Sequence, residues 1–120
     1  MDDRDRRHLE SLAAHAAKAL DYVRNRGSAW YLNDETTNAV VRQITQVAED
    51  ARRVSDETLA TIPGIAWRQV KGIREQIVHD YEFVDVEIVK DVVEHSLPDL
   101  IDAVGLVLRR QGRLDAAGWS

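Results

Sequence analysis

Apolar residues recur three and four apart in four separate stretches of this chain, and no other feature limits its fold as much. A helix turns once every ~3.6 residues, so each stripe lies on one helix face and has to be buried against another element. Leu9, Leu12, Ala13, Ala16, Leu20 and Val23 predict a first helix over about 4–26, with Gly27 where it would stop. Val40, Ile44, Val47, Ala51 and Val54 predict a second, and "NDETT" supplies its N-cap candidates. The stretch 55–62 has room for a short helical piece before Pro63-Gly64 breaks the chain. Trp67, Val70, Ile73 and Ile77 predict a third main helix. Leu100, Ile101, Val104, Val107 and Leu108 predict a last one, restarted at Ser96-Leu97-Pro98 and ended by Gly112.

One stretch, "EFVDVEIVKDVV", fits two patterns. Val84, Val86 and Ile88 alternate as in a strand. Val86, Val89 and Val93 also fit a helix capped by Asp85, and helical neighbours on both sides favour that reading. The expected architecture is therefore all-α, a bundle with short connections. One domain is expected over 1–112, with 113–120 as a flexible tail carrying Trp119.

Composition narrows the function. With 44% hydrophobic and 31% charged residues, 120 residues suffice for one ordinary core. Cysteine is absent, which excludes disulfides and thiolate metal sites and fits a cytoplasmic protein. "MDDRDRRHLE" lacks the apolar run of a secretory signal, and no apolar stretch is long enough for a membrane span. The formal net charge of -5 argues against coating nucleic acid by bulk electrostatics, yet leaves room for a local basic site.

The third helix carries "REQIVHDY", which gathers Arg74, His79 and Tyr81. On composition alone this is also an ordinary solvated face, with Arg74 paired to Glu75 or Asp80. On a continuous helix Arg74 and His79 would lie about 140° apart, so one copy forms a loose constellation. A two-fold dimer would bring two copies into one cleft. The residue types suit phosphodiester cleavage in RNA. An imidazole moves protons near neutral pH, and a guanidinium clamps phosphate. The substrate supplies its own 2′-OH nucleophile, so the chemistry needs neither metal nor cofactor.

"REQIVHDY" resembles the Arg-x4-His-x-Tyr signature of the HepT-like toxins, a branch of the HEPN superfamily. The likeness extends through "IPGIAWRQVKGIREQIVHDYEFVDVEIVKDVVEHSLPDL" and the upstream "AVVRQITQVAEDARRVS", most of the chain. The resemblance implies a HEPN-type bundle of about five to six helices and a homodimer with paired motifs. It implies metal-independent endoribonuclease activity on mRNA or tRNA, in a toxin–antitoxin system whose antitoxin is a minimal nucleotidyltransferase. Carried onto this chain, Arg74 binds phosphate, His79 is the general acid/base, and Tyr81 supports the site and is the candidate AMP acceptor. Glu75 departs from the family pattern, in which a small polar residue, often Asn, follows the arginine. That carboxylate keeps a second reading open: a non-catalytic HEPN module that binds nucleotide or a partner and regulates a nucleotidyltransferase.

Other residues read as structural. His8 and His15 are seven apart on the first helix, a weak metal pair without carboxylate support nearby in sequence. His95 suits a helix C-terminus. Trp30 and Trp67 read as core or interface aromatics rather than base platforms. Arg52-Arg53 and Arg109-Arg110 read as solvated pairs, or as guides for an RNA backbone if a dimer aligns them with the motif.

Overall fold

A computed structural model describes residues 1–79 and 83–118, His79 by its backbone alone. It forms an all-α bundle with one very short hairpin. The longest helices are α1 (Asp3–Arg26), α2 (Asp34–Arg53) and α7 (Leu97–Ala116). Between α2 and α7 run α3 (Asp56–Leu59), α4 (Trp67–Lys71), α5 (Ile73–Ile77), β1 (Val78–His79), β2 (Phe83–Val84) and α6 (Val86–Asp91). A π-helical segment, Val92–Ser96, joins α6 to α7.

The predicted stripes are the core. Leu9, Leu12, Ala16 and Ala19 of α1 meet Val40, Ile44, Val47 and Ala51 of α2, all buried. The two helices are antiparallel: Asp5 meets Ser55, Ser11 meets Asp50 and His15 meets Gln43, stepping up one helix and down the other. α7 closes the other side of α1 with Leu97, Leu100 and Val104. Truncating any of these leucines to alanine would cost about 2–5 kcal/mol.

Side-chain caps set where the helices begin. Asp2, Asn33, Ser55 and Asp85 accept backbone N–H bonds at the starts of α1, α2, α3 and α6. Each such cap contributes about 1 kcal/mol. Trp30 is buried beside Tyr31, with ring centroids 5.9 Å apart in an edge-on arrangement. Lys90 Nζ stands 4.1 Å from the centre of the Tyr31 ring, tying the 28–33 connection to α6. Gly64 adopts φ 84°, the left-handed conformation that lets the chain reverse after Pro63.

Five expectations are corrected. The predicted third helix is divided at Gly72 and ends at Ile77. Beyond it Val78 is extended, and the Asp85 N–H takes the Ile77 carbonyl at 2.7 Å, so the chain turns back as a hairpin. The β-branched alternation of 84–88 thus yields a strand at Phe83–Val84 before the Asp85-capped helix. Ser96-Leu97-Pro98 does not restart a helix, because the backbone stays helical throughout. The Leu97 N–H bonds Val92 five residues back, and this wider turn holds Glu94, the residue whose carbonyl the Pro98 ring would crowd in a regular helix. His95 accordingly lies inside continuous helix, near Asp91 at 3.1 Å, and not at a helix end. Gly112 does not end α7, which runs on to Ala116. Trp119 lies outside the described residues.

Candidate ribonuclease site

α5 is a short helix pinned by its buried face. Ile73 and Ile77 are both buried and pack it against α2, α4 and α6. Arg74, Glu75 and Gln76 therefore face outward. The Val78 N–H still bonds the Arg74 carbonyl, after which the chain becomes extended. Val78 pairs with Val84 and His79 with Phe83, in antiparallel register. The motif thus straddles a helix end, with Arg74 on α5 and His79 on β1, so the offset of about 140° that a continuous helix would impose does not apply. Tyr81 and Asp80 lie outside the described residues.

Arg74 is exposed, and among the described residues no carboxylate forms an ion pair with it. Its neighbour Glu75 is drawn elsewhere. Arg52 of α2 places Nη2 3.3 Å from Glu75 Oε1 and Nη1 3.2 Å from Glu49 Oε1. The Glu75 carboxyl is held below the usual range, first by its own backbone N–H, then by the Arg52 guanidinium, with Arg74 adding positive charge. From Arg52 a shallow groove of about 490 Å³ leads away, lined by Arg4, Arg53 and Lys71 among others. Lys71 is committed to Asp56 at 3.2 Å. A separate cavity of about 540 Å³, between Asp5, Thr58, Val107 and Arg110, holds no motif residue.

Two polar clusters stand apart from the motif. Asp5, buried, accepts from the Ser55 and Thr58 hydroxyls, each at 2.6 Å, and from the Ser55 N–H at 3.0 Å. Those bonds, Ser55's hydroxyl foremost, hold its carboxyl below the ordinary value against the opposing effect of burial. Asp50, also buried, accepts from Ser11 at 2.8 Å and faces His8 at 3.7 Å and His15 at 4.0 Å. The carboxylate support missing in sequence for the two histidines is thus present in space. Even so, no group of acidic and histidine residues among those described has the arrangement to hold a metal ion.

The comparisons decide the family. The family described as "Ribonuclease HepT-like" matches residues 12–107. The chain belongs to the HepT-like ribonuclease family. Its relatives include "Putative RNase MJ0127" of Methanocaldococcus jannaschii, 20% identical over 105 residues that cover 87% of each chain. "Probable ribonuclease HepT" of Thermococcus cleftensis is 26% identical over 94 residues, 78% of this chain and 86% of that one. No solved structure matches. Membership makes the chain a HEPN-type endoribonuclease, and RNA is the substrate class that the family carries. No helix among the described residues is long and apolar enough to cross a membrane.

Sequence reasoning did not single out Arg52 as the partner of Glu75. The two are 23 residues apart on different helices, and nothing local links them. It also passed over Asp50, which resembles any other acidic helix residue.

Proposed function

We propose that this chain is the toxin of a toxin–antitoxin pair, a metal-independent endoribonuclease cutting mRNA or tRNA in the cytoplasm, restrained by a minimal nucleotidyltransferase. The observation that carries the catalytic part is the exposed Arg74 guanidinium, unclaimed by any described carboxylate and next to the strand that holds His79. Arginine keeps its charge and grips phosphate oxygens through paired N–H donors. In the reaction the 2′-oxygen forms a bond to phosphorus as the P–O5′ bond breaks. His79 takes the 2′-OH proton and returns a proton to the leaving 5′-oxygen, while Arg74 stabilises the charge gathering on the phosphoryl oxygens. The products are a 2′,3′-cyclic phosphate and a 5′-hydroxyl.

Each chain carries one such arginine and one such histidine, so a homodimer with its motifs facing each other would supply a full complement for both proton transfers. Tyr81, two residues past His79, is the candidate AMP acceptor through which the antitoxin would act. Arg4, Arg52 and Arg53 line the groove together with Asp2, Asp5 and Asp56, so an RNA backbone would meet the arginines within a mixed-charge surface. The test is to incubate purified protein with end-labelled tRNA and mRNA in EDTA. Cyclic phosphate ends and a dimer in sedimentation are expected. Activity abolished by EDTA and restored by a divalent ion would overturn the mechanism. A dimeric protein that cuts neither RNA would favour the non-catalytic regulatory module.

A further inference from the structure

Phe83 is the chain's only phenylalanine, and it is 64% exposed. Its strand neighbour Val84 packs against the core, as does Val78 on the opposite strand. Alternation along a strand sends successive side chains to opposite faces, so burying Val84 turns Phe83 outward. In register, Phe83 is the direct partner of His79. Paired strands lie about 4.8 Å apart, so the aromatic residue is anchored one strand spacing from the His79 backbone.

We propose that Phe83 is a stacking platform for the nucleobase flanking the scissile phosphate. This rests on the reading of Arg74 and His79 as the cleavage site. An aromatic ring offers a flat apolar face that any base can cover, and single-stranded RNA presents unstacked bases to such rings. Val78 and Val84, the other apolar residues of the two strands, are spent on the core, so among the described residues of the hairpin the ring stands singly. That fits one base better than a protein interface, which needs a contiguous buried core. Phosphate on Arg74 and base on Phe83 would orient the 2′-OH between them, and affinity gained this way would be indifferent to base identity.

The experiment measures binding of a 2′-O-methyl oligonucleotide, which cannot be cut, and cleavage of its unmodified counterpart. Phe83→Ala should weaken binding on the order of 10-fold and raise KM more than it lowers kcat. Phe83→Trp should retain wild-type behaviour, and Phe83→Leu should resemble Ala, because leucine is apolar but has no flat face. An oligonucleotide made abasic beside the cleaved bond should cost the wild type the same factor and cost Phe83→Ala little more. Equal behaviour of Phe and Leu variants would overturn the proposal. So would a Phe83→Ala protein that binds RNA normally but sediments as a smaller species, since Phe83 would then be a contact between copies. If the wild type cuts RNA and Phe83→Ala matches it throughout, only the stacking role fails. If the wild type neither binds nor cuts RNA, the cleavage site fails with it.

Discussion

Arg52 on α2 reaches across to Glu75 on α5, its Nη2 3.3 Å from the carboxylate oxygen, and so shares with Arg74 the neutralisation of that carboxylate. Glu75 occupies the position directly after the motif arginine, where a carboxylate would otherwise compete with RNA phosphate. Both partners are largely exposed, so the pair is screened and modest in strength. Its importance is local: it gives the carboxylate a second cation besides Arg74.

That relationship predicts a rescue. Arg52→Ala should lower kcat/KM by about 2- to 5-fold, the scale of an exposed ion pair. Adding Glu75→Gln to Arg52→Ala should restore the rate, because the competing charge is gone. If the double variant stays as slow as Arg52→Ala, Arg52 acts on RNA directly through the groove and not through Glu75. Single-turnover cleavage at two salt concentrations reads both outcomes.

Arg74→Ala and His79→Ala should each slow cleavage on the order of 100-fold or more, the usual scale for losing a general acid/base or the stabiliser of a charged transition state. Arg74 is exposed and holds no core contact, so its variant should unfold at the wild-type denaturant midpoint. A folded Arg74→Ala protein with full activity would remove the residue from the mechanism.

Control by the proposed nucleotidyltransferase antitoxin should be visible as mass. Adenylylated Tyr81 would carry about one added negative charge and a bulky nucleotide, and that charge would compete with RNA for Arg74, as phosphorylation does at an arginine site. Co-expression with a cognate nucleotidyltransferase should add AMP units mapping to Tyr81, silence cleavage, and leave Tyr81→Phe unmodified. An unmodified yet silenced chain points instead to steric blocking.

Asp5 makes acid stability predictable. Its folded pKa lies below the unfolded value because Ser55 and then Thr58 hydrogen-bond the carboxylate. Its contribution is therefore complete above the unfolded value of about 3.9 and is lost as pH falls through the lower folded pKa. Asp5→Ala should cost about 1–3 kcal/mol at neutral pH, leaving Ser55 and Thr58 without their acceptor. It should also flatten the acid limb of the urea midpoint against pH. An unchanged limb would mean that other carboxylates govern acid unfolding.

Much of the scaffold is written locally. Leu9, Leu12 and Ala16, or Val40, Ile44 and Val47, announce their shared face by spacing alone, because helix geometry is set by neighbours three and four residues away. Asn33 and Asp85 are legible as caps for the same reason, their partners being three residues on. The motif was readable as a pattern of residue types and through its family likeness. What lay beyond sequence depends on contacts between distant segments. A helix ending at Ile77 requires Asp85 to capture its carbonyl, which places His79 on a strand. Whether Glu75 burdens Arg74 depends on Arg52, 23 residues away. Asp50 meets His8 and His15 only once α1 and α2 lie antiparallel. Local spacing determined the helices and which faces they bury. Tertiary packing decided which charges meet, because Coulombic and hydrogen-bond energies depend on distances in space that chain separation does not encode.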